Sequence, residues 1–119
     1  MPKDIISIYD CLKITIDGEK FAVVIAPFTN ARTAVFENVL KPCIKKKGFK
    51  CKRADDFKTN TNKVNDIVRN IWKSTFVLAD ITNLNPNVIY ELGFAHAMNK
   101  EVIMIYEVNK KNIRLFTIN

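Results

Sequence analysis

The chain has 119 residues, 48% hydrophobic and 26% charged, with only three Gly and four Pro. That composition suits one soluble globular domain with a single core and argues against disordered, collagen-like and linker-rich proteins. No apolar run approaches the roughly 20 residues that cross a bilayer, the start MPKDIISIYD lacks the marks of a signal peptide, and the expected setting is the cytoplasm with no membrane partner.

Residues 1–19 read as an N-terminal extension. Ile5, Ile8, Tyr9 and Leu12 share one face of a short helix, or else Ile14 to Ile16 followed by Asp17-Gly18 forms a hairpin turn into the next strand. FAVVIA, residues 21–26, is a continuous apolar run that reads as a strand buried on both faces. Ala34, Val35, Val39, Leu40, Cys43 and Ile44 then fall at helical spacing before Gly48, a good C-cap residue. Phe49 to Arg53 suits a short edge strand, and a polar loop follows. Val64, Ile67, Val68 and Ile71 mark a second helix, capped by Thr61 or Asn62.

TFVLA, residues 75–79, is a second buried strand, ending at Asp80. Asn85 and Pro86 read as the cap and first position of a third helix that runs to about Asn99, a residue suited to a left-handed C-cap. VIMIY, residues 102–106, is a third buried strand, and residues 107–119 form a short tail or fifth strand. Strands alternating with helices predict an α/β fold with a mainly parallel sheet of four to five strands and helices on both faces. The domain is single, with its core over residues 20–106.

The formal charge of +7 is concentrated. Residues 41–53 hold Lys41, Lys45, Lys46, Lys47, Lys50, Lys52 and Arg53 and no acid, so this segment carries the whole excess. Such a cluster can track a phosphate backbone, but it also reads as a solvated helix end complementing the helix dipole. Cys11, Cys43 and Cys51 have no CxxC spacing and His96 is the one histidine, so neither a disulfide framework nor a zinc site is expected. No metal and no cofactor are expected. Trp72 and Phe94 read as core or interface, His96 as a structural histidine, and Gly93 with Ala97 as a close-packing pair.

In open α/β sheets, ligands bind beyond the carboxyl ends of the strands where strand order reverses. With the order 2-1-3-4 that point lies between the first and third strands. The loops after them carry Pro27, Phe28, Thr29 and Asn30, and Asp80, Thr82, Asn83, Asn85 and Asn87. Glu91 sits one turn inside the third helix, on the flank of the apolar stripe Val88, Leu92 and Ala95. A carboxylate there is partly desolvated and serves chemistry, or it points to water and complements the helix dipole.

The stretch DITNLNPNVIYELGFAHAMNK, from Asp80 to Lys100, resembles the D-[LI]-T-x-x-N-P-N-V-x-Y-E-L-G-x-A-H-A-x-x-K signature of nucleoside 2-deoxyribosyltransferase-like proteins and their bacterial TIR-like relatives. The resemblance extends to FAVVIAPF, to the Arg53-Ala54-Asp55-Asp56 loop and to TFVLAD. It implies a flavodoxin-like three-layer domain that binds a nucleoside or nucleotide and acts on an N-glycosidic bond. By the same resemblance Glu91 is the nucleophile or oxocarbenium stabiliser, Asp80 holds a ribose hydroxyl, and Asp55 or Asp56 protonates or positions the leaving base. Phe28 would stack on the base, Asn87 would orient Glu91, and Thr29, Thr82 and Asn85 complete the substrate-binding set. NAD is a possible substrate, and a homo-oligomer is expected. The transferases carry an acid six residues before the nucleophile, where this chain has Asn85. Two alternatives stand beside this reading: a nucleotide-sensing module without catalysis, and a basic protein that meets nucleic acid through residues 41–53.

Overall fold

The computed structural model describes residues 20–54, 63–109 and 112–117. The expectations for residues 1–19, for the cap at Thr61 or Asn62, and for Asp55 and Asp56 lie outside the described residues. Strand β1 (Phe21–Ile25) is followed by a helix in three parts: α1 (Asn30–Val35), a π-helical segment (Phe36–Leu40) and α2 (Lys41–Lys46). Then come β2 (Lys50–Arg53), α3 (Lys63–Lys73), β3 (Phe76–Asp80), a 3-10 turn (Thr82–Leu84), α4 (Pro86–Ala97), β4 (Val102–Asn109) and β5 (Asn112–Thr117). The sheet order is β2-β1-β3-β4-β5. The first four strands are parallel, with Ala22 beside Phe76 and Ala79 beside Met104.

Alternation along the strands divides the core into two layers. Ala22, Val24, Phe76, Leu78, Ile103 and Ile105 face the long helix, whose Phe36, Leu40 and Ile44 fill that side. Val23, Ile25, Val77, Ala79, Val102 and Met104 face α3 and α4 and pack on Ile71, Val88, Leu92 and Ala95. Truncating one of these enclosed side chains, such as Leu40 or Ile103, to Ala costs about 2–5 kcal/mol.

The first helix departs from the periodicity expected of it. Its buried residues are Arg32, Phe36, Leu40 and Ile44, four apart throughout, while Ala34 and Val39 are exposed. A spacing of four overshoots a regular α-helical turn by ~40° per step, so such a row would wind away from the sheet. The π segment, where the Lys41 N–H donates to the Phe36 carbonyl, widens the turn and keeps the row facing inward. It lies just before Pro42, which has no N–H to continue an α-helical ladder.

The helix ends are built as the sequence suggests. Gly48 has φ +90° and Asn99 φ 57°, and in each case the next residue's N–H reaches back into the last turn: Phe49 to the Ile44 carbonyl, Lys100 to that of Ala95. The tail is more regular than expected. β4 runs three residues past Tyr106 and turns into β5, antiparallel to it, with Ile105 opposite Leu115 and an irregularity between Glu107 and Asn109. Among the described residues no helix is long and apolar enough to cross a membrane.

Candidate functional site

β1 has β2 on one side and β3 on the other, and their connections leave in opposite directions, which opens a crevice at the carboxyl ends of β1 and β3. A cavity of about 520 Å³ occupies it. One wall is the loop after β1, with Ala26, Pro27, Phe28 and Thr29; the other is the start of α4, with Asn85, Asn87, Val88 and Glu91, and Ile67 of α3 closes the remaining side. Five of the residues read from the sequence as a site (Phe28, Thr29, Asn85, Asn87 and Glu91) therefore meet around one space.

The local sequence explains each wall. Pro27 is buried and ends β1, turning the chain outward at Phe28. The Thr29 side chain accepts from the Arg32 N–H at 3.3 Å and so starts α1. Asn85 caps α4: its side-chain oxygen accepts from the Asn87 and Val88 N–H groups at 3.0 and 3.2 Å, with Pro86 as the first helical residue. Val88, Leu92 and Ala95 are buried against the sheet, which leaves Glu91 half-buried at the helix flank, facing the cavity.

Asp80 and Thr82 are placed differently from the expectation that they touch the ligand. Asp80 has no exposed surface, and its Oδ2 accepts from Arg32 Nε at 2.8 Å. Its Oδ1 accepts from the Thr82 N–H at 3.1 Å and the Thr82 hydroxyl at 2.6 Å. The same hydroxyl oxygen accepts from the Glu107 N–H at 3.0 Å, and Glu107 also pairs with Arg32 Nη1. Both side chains are spent on holding the loop after β3 against β4 and α1, and neither lines the cavity. This is the usual fate of buried polar groups, whose bonding needs are met internally.

The cluster of Arg32, Asp80, Thr82 and Glu107 was not legible as a unit, because its members lie on four separate elements. The one available signal is Asp80 itself, since a carboxylate at the end of an all-apolar strand needs a cation. Arg53 is a second surprise. It belongs to the basic run but is buried, donating to the carbonyls of Ala26 and Pro27 at 2.9 and 3.1 Å. Lys45, Lys46, Lys47 and Lys50 are exposed, so the basic surface survives without its arginine.

The remaining singled-out residues lie away from the cavity. His96 is exposed rather than a packed structural histidine, because its place on α4 turns to solvent. Trp72 is 65% exposed, with Lys100 Nζ 5.8 Å from its ring, and Phe94 is half-buried, edge-to-face with Tyr90. Among the described residues no group of three or more His, Cys, Asp or Glu could hold a metal ion. A larger but shallow hollow of about 610 Å³ on the β4–β5 hairpin is lined by Tyr106, Val108, Arg114, Leu115 and Phe116 and contains neither carboxylate nor amide.

No family model matches the chain, and no curated protein matches it by sequence. Among solved structures it is similar to one described as 2-desoxiribosyltransferase from Leishmania mexicana, with a TM-score of 0.61 and 19% identity. The match covers 73% of this chain and 64% of that one, so this chain spans less than two thirds of its neighbour's length. At that identity the likeness is one of fold alone: a flavodoxin-like α/β domain with a mostly parallel sheet.

Proposed function

We propose that the chain binds a nucleoside in the crevice between β1 and β3 and acts on its N-glycosidic bond, with Glu91 as nucleophile or oxocarbenium stabiliser. The observation that carries the reading is that Glu91 and Phe28 border the same cavity from opposite walls. A carboxylate and an aromatic ring are the two groups this chemistry needs, one for the anomeric carbon and one for the base. A volume of about 520 Å³ falls within the range of small-ligand sites. The fold shared with a structure described as a 2-desoxiribosyltransferase supports the same reading.

In the reaction as proposed, a Glu91 carboxylate oxygen closes on the anomeric carbon while the carbon–nitrogen bond breaks. The bonding pair leaves with the base, which takes up a proton, and Asp55 or Asp56 is the proposed source. A second base or water then opens the glycosyl ester and frees Glu91. Thr29 and Asn87 would hydrogen-bond the ligand, whereas Asp80 and Thr82 would act by holding the loop. No cofactor is required, and NAD, which also contains an N-glycosidic bond, is the second substrate to assay. We place the reaction in a homo-oligomer, supported by Ile89 and Tyr90, which are exposed on the helix that carries Glu91.

The test is incubation with 2′-deoxynucleosides plus a free acceptor base, and separately with NAD, with the products separated by chromatography. Base exchange or release is expected, falling at least about 100-fold in Glu91→Gln while ligand binding persists. Full activity in that variant discards the role of Glu91. Binding without turnover in the native chain would favour the sensing module, a reading that the amide of Asn85, standing where the transferases carry an acid, also supports.

A further inference from the structure

Phe28 is 64% exposed on a loop of irregular backbone, yet its ring does not stand alone. The guanidinium carbon of Arg53 lies 4.0 Å from the ring centroid, within cation–π range. Arg53 is 5% exposed, so the stack is covered on the guanidinium side and open on the other. The same guanidinium donates through Nη2 to the carbonyls of Ala26 and Pro27, the two residues before Phe28, and through Nη1 to the Thr33 hydroxyl at 3.4 Å. It also lies 5.1 Å from the centroid of the buried Phe36 ring. One side chain at the end of β2 thus fixes both the backbone that carries Phe28 and the face of its ring that points into the protein.

From this geometry we infer that Arg53 is a positioning residue for ligand stacking. It holds Phe28 as a fixed platform on which the planar base of a nucleoside lies, and it never touches the ligand. The inference rests on the nucleoside reading of the cavity and names how that site takes its base. A ring already ordered loses little further freedom when the base arrives, and preorganisation of this kind appears directly as affinity. Lysine cannot substitute. An ammonium is a point charge, whereas the planar guanidinium serves two carbonyls and a ring face at once.

The inference is tested by a double-mutant cycle on the binding of 2′-deoxyadenosine, measured by isothermal titration calorimetry with the fold of each variant followed by circular dichroism. Base stacking on an aromatic side chain is worth about tenfold or more in affinity, so Phe28→Leu and Arg53→Met should each weaken binding by about tenfold. The double variant should bind about as weakly as either single one, because Arg53 acts by placing Phe28, through the loop backbone and the ring face alike. Losses that multiply to about 100-fold would overturn the inference, as would unchanged affinity in Arg53→Met. Should Arg53→Met fail to fold, Arg53→Lys runs through the same cycle against the same criterion. A Phe28→Leu variant that binds 2′-deoxyadenosine as tightly as the native protein sinks this inference and the base-stacking role of Phe28, while nucleoside binding in the cavity stands. Native protein that binds no nucleoside sinks the proposed function with it.

Discussion

Arg32 and Asp80 stand 48 residues apart in the chain and meet at 2.8 Å, the carboxylate without exposed surface and the arginine side chain 5% exposed. Through this pair the first turn of α1 is tied to the end of β3, so the two loops that wall the cavity are fixed relative to each other. Removing the cation leaves the Asp80 carboxylate buried without its charge partner. Arg32→Met should therefore cost about 3–5 kcal/mol, a large share of a small domain's stability. Replacing both partners by apolar residues, Arg32→Met with Asp80→Leu, should be less damaging than the two single losses added together. The fully buried charge then goes with its partner, and the Glu107 carboxylate that also pairs with Arg32 is 26% exposed and reaches water. Urea unfolding of the three variants checks this, and additive losses would show that the pair contributes little as a pair.

Asn85 occupies the position where the transferases that the sequence resembles carry an acid, and its oxygen already accepts two backbone N–H bonds. Asn and Asp are nearly equal as N-caps, and a negative charge at a helix N-terminus gains about 0.3–1 kcal/mol. Asn85→Asp should thus leave thermal stability unchanged or slightly raised at neutral pH. The introduced carboxylate, bonded to two donors, is held in its ionised form and is a poor proton donor while it caps the helix. The gain should disappear as pH falls and that carboxylate protonates, and base release at neutral pH should not rise. A marked rise in release rate would show that the side chain leaves its cap during turnover.

The cavity was legible in the sequence because two general rules converge on it: ligands sit where strand order reverses, and Glu91 lies on the flank of an apolar helical stripe. Phe28, Thr29, Asn85, Asn87 and Glu91 follow from those rules together with the family-like motif. Arg53 was hidden because it ends a run of exposed lysines, and nothing in KKKGFKCKR distinguishes the one cation that turns inward. Its burial is decided by the carbonyls of Ala26 and Pro27, more than 25 residues away. The phase of the first helix was misread for a local reason: a 3.6-residue period is the wrong template across a π turn next to Pro42.

Leu84 has φ 50° at the end of the 3-10 turn that leads into the Asn85 cap, and its side chain is 68% exposed. A leucine in the left-handed region is strained by about 1–2 kcal/mol, because its Cβ crowds the following carbonyl. Asn83 beside it has φ 61° and is of a residue type that adopts this region readily. Little apolar burial is lost when a side chain this exposed is replaced. Leu84→Asn should therefore raise stability by about 0.5–1 kcal/mol, read as a higher urea midpoint with an unchanged slope. A lower midpoint would mean that the packing of Leu84 in a second, separate hollow, which it lines with Ile81 and Tyr106, outweighs the strain.

Lys100 follows α4 and donates from Nζ to the Ser74 carbonyl at 2.8 Å, beside the Trp72 ring. Partial burial disfavours its charged form and lowers its pKa from the ordinary 10.5. Between that lowered value and 10.5 the unfolded chain still holds a proton that the folded chain has released. The unfolded state therefore binds more protons in this window, and the contribution of Lys100 to stability rises with pH. Below the window both states are protonated and the desolvation cost is present in full; above 10.5 it is gone. Lys100→Met should remove this alkaline gain, so the stability difference between the native chain and the variant should shift in favour of the native chain as pH climbs towards 10.5. Chemical denaturation of the two proteins across that range measures it, and a pH-independent difference would show that the ammonium is as well solvated in the folded chain as in the unfolded one.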